Sequence, residues 1–205
     1  MAESADDPHF HFYKPKARAL LPIADLHISR SLLKKLKKRN YAVYINRHFE
    51  RVIDLCAAAQ NNRPSTWINK TIRDTYVHLH QAGHAHTVEI YNDDDEFIGG
   101  LYGLALGGVF CGESMVSLKS DASKMALCYL AAHLWQCGFS LLDAQLHNPH
   151  LEQFGLFTIE QKHYEDIVEK EMEKNLVFTN KINFYDLENY LKNRHQDRRG
   201  AFLFS

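Results

Sequence analysis

Three polar side chains stand at the ends of apolar runs: Glu113 in FCGESM, and Asp143 and Gln145 in LLDAQ. A carboxylate or amide beside so much apolar surface is costly to bury without a partner. A cluster of such groups is therefore a first candidate for a site. In a strand, Asp143 and Gln145 point to one side, about 7 Å apart along the chain. A carboxylate and an amide so placed can orient an incoming amine and relay its proton. They can equally be a structural hydrogen-bond pair, and the spacing leaves both readings open. Other chemistries fit less well. The G-E-S-M run around Ser114 lacks the second glycine of a nucleophile elbow, and nothing near Cys111 would lower its thiol pKa. His80, His84 and His86 have zinc-like spacings, but Gly83 breaks the helix between the first two and no Cys or acidic fourth ligand is spaced to complete a set. Histidines packing at a helix C-terminus are the better reading. There is no Walker loop and no G-x-G-x-x-G, so no cofactor or metal is expected.

These groups must be positioned by the stretch from Gly99 to Gln145. It reads as an apolar hairpin (GGLYGLALGGVFCGESMVS), a helix over about 121–137 that is apolar on almost every side, and a strand over 139–145. The expectation is the floor and wall of a pocket for an apolar group, with polar residues at its mouth. Asp121 or Ser120 would cap the helix. Before this stretch come an irregular, proline-bearing strap over 1–22, a helix over 30–39 capped by Ser29, a strand over 41–46, a helix over 48–59, the loop NNRPST, a helix over 66–82 and a hairpin over 84–91 and 96–106. Trp67 falls in the first turn of the 66–82 helix, where a packing anchor is commoner than a stacking platform. After the stretch come the turn NPHLEQFG, a charged helix over 160–173, a helix near 185–194 and the tail RRGAFLFS. This order predicts an α+β fold with a mixed sheet and helices on both faces. The expected division is 1–22 as a strap, 23–180 as the main domain and 181–205 as a C-terminal helix and tail.

The chain has 205 residues, 45% of them apolar, enough for one real core. The formal net charge of −1 gives no global pull toward nucleic acid, but the charge is segregated: residues 34–39 read KKLKKR. The 30–39 helix can be a solvated basic face or a phosphate-contacting one; the lack of acidic neighbours at i+4 favours the second. Cys56, Cys111, Cys128 and Cys137 form no C-x-x-C pair and sit in apolar surroundings, which suits free thiols in a reducing compartment. Residues 1–20 carry no signal-peptide core, and no run is apolar enough to span a bilayer. The reading is a cytoplasmic protein that engages no membrane. No dimer stripe is visible, which points to a monomer.

Taken together, LHISRSL (26–32), TWI (66–68), LHQAGHAHTVE (79–89), GGLYG (99–103), FCGESM (110–115), ASK-x-AL (122–127) and LLDAQ…PHL (141–151) occur in an order that resembles the leucyl/phenylalanyl-tRNA–protein transferases. The resemblance runs from about Pro22 to about Gly155. It implies a bacterial enzyme of the N-end rule pathway that moves Leu or Phe, sometimes Met, from charged tRNA to the N-terminal Lys or Arg of acceptor proteins, marking them for proteolysis. It implies a GNAT-like fold that uses no acetyl-CoA. It places the aminoacyl side-chain pocket on Leu101, Phe110, Met115, Leu127, Leu130 and Leu142, and the catalytic constellation on Glu113, Asp143 and Gln145. It assigns Trp67 to the terminal adenosine, reversing the packing reading. It assigns Arg30, Lys34, Lys37 and Lys38 to acceptor-stem phosphates. The mechanism expected from these residues has Gln145 accept a hydrogen bond from the attacking amine, oriented by Asp143, which also disperses the proton, while Glu113 fixes Gln145 or the ribose hydroxyls and backbone N–H groups near the glycines hold the oxyanion. Relatives carry a further N-terminal lobe before the point where this sequence starts, so a truncated, non-catalytic tRNA- or protein-binding relative is the first alternative. A transferase of the same fold with another donor amino acid is the second, and a CoA-dependent N-acyltransferase the third.

Overall fold

Residues 1–58 and 66–194 are described by the computed structural model. The loop expected at NNRPST except its Thr66, the end of the helix expected to reach residue 59 and the tail RRGAFLFS lie outside the described residues.

A seven-stranded mixed sheet organises the molecule. Its strands are β1 (Ala17–Leu21), β2 (Tyr41–Ile45), β3 (Ala85–Asn92), β4 (Phe97–Leu106), β5 (Val109–Ser117), β6 (Leu141–Gln145) and β7 (Phe157–Glu160), in the order β2-β3-β4-β5-β6-β1-β7. All neighbours are antiparallel except β5 and β6. That parallel pair is joined through α4 (Ala122–Cys137), as a parallel pair requires a crossover.

Alternation along the strands sorts residues to two covered faces. Val88, Ile90, Leu101 and Leu142 pack with α4 and with α1 (Arg30–Lys37) and α7 (Phe184–Asn193). Tyr91, Tyr102 and Val116 pack on the other face with α2 (Phe49–Ala57) and α3 (Lys70–Gln81). A short helix α5 (Pro149–Glu152) follows β6, and on that second face α6 (Gln161–Met172) covers Leu20, Val109 and Leu141 through Tyr164 and Ile167. The core helix α4 is buried without a break from Met125 to Leu134, as its all-round apolar sequence predicts, and stops at Gly138 in the left-handed conformation (φ 83°).

Several expectations are corrected. The strap expected to be irregular over 1–22 ends in β1, an interior strand hydrogen-bonded to β6 and β7. From the C-terminal helix, Leu187 and Tyr190 belong to the α4 core. The helix expected from residue 66 begins at Lys70, because Asn69 is its cap and accepts from the Ile72 N–H at 2.8 Å. Trp67 therefore lies at a bend just before the helix. Asp121 occupies the cap position of α4 at φ 67° but makes no capping bond; its carboxylate pairs with Lys35 and Lys124. Ser117 Oγ instead accepts from the Ser123 N–H at 2.9 Å.

Candidate functional site

The site forms where β5 and β6 part. The two strands are paired only over Val109–Cys111 and Leu141–Asp143. Beyond that point they diverge, and a cavity of about 350 Å³ opens between Gly112–Met115 on one side and Asp143–Gln145 on the other. A volume of this size suits one amino-acid-sized group.

A β-bulge aims the residues of the β5 wall. Tyr102 pairs with Ser114 and Gly103 with Gly112, which leaves Glu113 as the extra residue. Phe110 and Met115, five positions apart, consequently both pack on the α4 side of the sheet. Gly103 is required opposite the bulge: a Cβ there would meet the Cys111 carbonyl oxygen at 2.3 Å and the Phe110 ring at 2.5 Å.

The cavity has an apolar and a polar part. Leu101, Met115, Leu127, Leu130 and Leu142 all line it, joined by Leu21 and Leu151. Glu113, Asp143, Gln145 and Trp67 line it as well, with Tyr102, Ser114 and Asn148. Phe110 is the exception among the residues assigned to the pocket. It is fully buried behind the wall and stacks on Phe178 at 5.3 Å.

Asp143 is fully buried and saturated with donors. Arg18 Nε reaches both carboxylate oxygens at 3.0 Å and its Nη2 reaches Oδ2 at 2.6 Å. The Tyr164 hydroxyl donates to Oδ2 at 2.6 Å, and the Gln145 backbone N–H donates to Oδ1 at 2.8 Å. Cys111 Sγ adds a weak contact to Oδ2 at 3.7 Å. Burial works against the Arg18 charge, but Asp143 more than offsets this and raises the guanidinium pKa. Burial, with Asp143 beside it, pushes the Tyr164 hydroxyl upward, and the Cys111 thiol likewise, with Asp143 and Glu113 beside it. A thiol so raised is a poor nucleophile. Arg18 and Tyr164 were not among the candidates read from the sequence. Nothing in the short run ARALL or around Tyr164 marked them as site residues.

Asp143 and Gln145 do not make the regular strand pair that their spacing suggests. Gln145 sits at φ 57°, in the left-handed region, and Asp143 binds its backbone rather than its amide. Glu113 has a different environment. Burial pushes its carboxyl up to about 7, partly countered by a hydrogen bond from Tyr76 on α3.

The basic residues are set apart from the cavity on α1. Arg30, Lys34, Lys37 and Lys38 are exposed there, while Leu32 and Leu36 are buried beneath them. Lys35 on the same helix is tied to Asp121 at the start of α4. Of the three histidines with zinc-like spacing, His80 binds the Ala85 carbonyl through Nδ1 at 2.8 Å and stacks on Phe49 at 4.2 Å, and His86 stacks on Phe178 at 4.4 Å. All four cysteines are free; Cys56 and Cys128 are buried, and Cys111 and Cys137 are half-buried.

The family model described as leucyl/phenylalanyl-tRNA protein transferase matches residues 20–169, the span that contains both walls of this cavity. The chain belongs to that family. A curated leucyl/phenylalanyl-tRNA–protein transferase from Shewanella piezotolerans is 48% identical over 159 residues, covering 78% of this chain and 66% of the relative. One from Hyphomonas neptunium is also 48% identical over 159 residues, covering 78% and 61%. The chain thus spans a little under two thirds of the length of these curated relatives. The solved structure of L-PGS from Bacillus licheniformis overlaps 69% of this chain and 50% of its own at 15% identity, with a TM-score of 0.46, a likeness too low to carry an argument about function. Among the described residues no helix is long and apolar enough to cross a membrane.

Proposed function

We propose that the protein transfers an aminoacyl group, leucyl or phenylalanyl and to a lesser extent methionyl, from charged tRNA to the N-terminal Lys or Arg of acceptor proteins, marking them for N-end rule degradation. The observation that carries the reading is the cavity between β5 and β6, with an apolar wall and a polar mouth, in a chain of this family. An unbranched or γ-branched side chain can desolvate against Leu101, Met115, Leu127, Leu130 and Leu142, whereas a charged one would lose hydration without gaining a partner. Trp67 at the rim offers a flat face for the terminal adenosine. Phe110 supports the wall from behind.

The donor is an ester and the nucleophile an α-amine, so holding the two in line supplies much of the acceleration. Glu113, Asp143 and Gln145 are the polar groups at the point where they meet. No covalent enzyme intermediate is required, and the raised Cys111 thiol supports none. Arg30, Lys34, Lys37 and Lys38 hold tRNA phosphates without reading sequence. We take the working form to be a cytoplasmic monomer that needs no cofactor.

The test is transfer of radiolabelled Leu from charged tRNA to a peptide beginning with Arg, using the 205-residue chain. Transfer that depends on the N-terminal Arg supports the reading. Retention of tRNA without transfer overturns it in favour of a binding protein.

A further inference from the structure

We propose that the two cavity carboxylates divide the work: Glu113 takes the proton from the attacking amine and returns it to the leaving ribose oxygen, while Asp143 is a fixed hydrogen-bond acceptor, clamped by the positioning residues Arg18 and Tyr164, that shapes the backbone at Gln145. This rests on the transfer reaction proposed above.

The geometry at Asp143 leaves no room for a travelling proton. A carboxylate offers about four lone-pair sites. Oδ1 receives Arg18 Nε and the Gln145 N–H, and Oδ2 receives Arg18 Nη2 and the Tyr164 hydroxyl. A substrate proton would have to displace one of these donors, and the guanidinium does not give up its own proton. Gln145 does not replace it, since a neutral amide accepts a hydrogen bond but holds no proton at neutral pH. What the clamp does maintain is the left-handed Gln145, at φ 57°, an uncommon conformation for a side-chain-bearing residue. The Asp143–Gln145 N–H bond holds that turn at the cavity mouth.

Glu113 is placed for the other task. It protrudes into the cavity from the β5 bulge. No ion pair among the described residues engages it. The groups that face it are Tyr76 from α3, Asp143 from β6, Arg18 from β1, Cys111 on its own strand and the α-amine of Met1. Its carboxyl, held near 7 by burial, can both accept and release a proton at neutral pH. In the step, the amine nitrogen attacks the ester carbonyl carbon and the C–N bond forms. One proton of the resulting ammonium moves to the Glu113 carboxylate. The C–O bond to the ribose breaks, and the ribose oxygen takes that proton from Glu113. One ester is exchanged for one amide, one proton passes from nitrogen to oxygen, and Glu113 ends as it began.

The experiment is the pH profile of leucyl transfer to an Arg-initiated peptide, from pH 5.5 to 8.5, for the wild-type chain and for Glu113→Gln, Asp143→Asn and Tyr164→Phe. The wild type should show kcat/KM rising with pH through a limb near 7. Glu113→Gln should lose about 10²-fold or more in kcat and lose that limb, leaving only the limb of the acceptor amine near 8. Tyr164→Phe, which keeps the Arg18 pair, should lower kcat about tenfold, the worth of one hydrogen bond to a charged group, with KM and the limb unmoved. A limb near 7 that survives in Glu113→Gln, or vanishes in Asp143→Asn, overturns this assignment alone. A wild-type chain that transfers nothing overturns both this and the reaction on which it rests.

Discussion

Arg18 and Asp143, 125 positions apart in the sequence, meet as a partly buried ion pair with Nη2 2.6 Å from Oδ2. The pair joins two adjacent antiparallel strands, β1 and β6, and the Tyr164 hydroxyl ties α6 to the same carboxylate. Removing one partner would leave an uncompensated charge in a dry place. Arg18→Met is expected to destabilise the protein by about 3–5 kcal/mol, and Arg18→Met with Asp143→Leu by clearly less. Urea unfolding of the two singles and the double decides this. Equal losses in Arg18→Met and in the double variant would mean that the pair contributes packing only.

Glu113 links function to stability with opposite sign. Its folded-state pKa of about 7 lies above its ordinary value near 4.5, so the folded chain binds a proton more tightly than the unfolded one. That contribution is present below pH 4.5 and is lost as pH rises to about 7. Glu113→Gln is therefore expected to raise Tm by roughly 2–8 °C at pH 8 and by nothing measurable at pH 4, while it lowers transfer. Thermal melts at the two pH values would show it. A variant less stable than wild type at pH 8 would mean that the carboxylate is stabilised by contacts beyond Tyr76.

Two buried histidines act over much the same pH range with the opposite sign. Burial pulls His133 and His86 down to about 4, each from an ordinary value near 6.5. The unfolded chain takes up protons at these positions first, so stability should fall as pH drops from 6.5 toward 4. His133→Leu should flatten that slope between pH 6.5 and 5 relative to wild type in denaturant titrations. An unchanged slope would remove His133 from the account.

Met115 is only half-buried and lines the apolar part of the cavity, so shortening it should spare the fold. Met115→Ala removes about 1.5 kcal/mol of apolar contact with the donor, about tenfold in KM for leucyl-tRNA with kcat little changed. Steady-state kinetics with leucyl-tRNA as the varied substrate measure both. A fall in kcat at constant KM would place Met115 at the reacting atoms instead.

The exposed lysines of α1 are expected to act through phosphates. Replacing Lys34, Lys37 and Lys38 with Ala should weaken tRNA binding and reduce the slope of log K against log[salt] by about 2–3. Lys35→Ala should instead loosen the joint with Asp121 and lower Tm, because that ammonium is already paired. Filter binding across salt concentrations separates the two effects.

What the sequence determined was local or periodic. Alternation over 85–92 and 97–106, the all-round apolar α4 and the cap at Ser29 follow from spacings of two and 3.6 residues and from short-range side-chain bonds. The apolar wall and the Glu113, Asp143 and Gln145 cluster were legible because polar groups ending apolar runs stand out against cost. The tertiary structure decided what depends on partners far along the chain. β1 has too little apolar pattern to read as a strand alone, and becomes one because β6 and β7 supply both rows of hydrogen bonds. The bulge that aims Glu113 exists only in the register of β5 against β4, and a period-two reading has no term for an extra residue. Arg18 and Tyr164 acquire their roles from a contact across more than a hundred residues and one across twenty-one. Side-chain spacing could place Asp143 beside Gln145, but only the folded chain shows that the carboxylate accepts from a guanidinium and from the Gln145 backbone N–H.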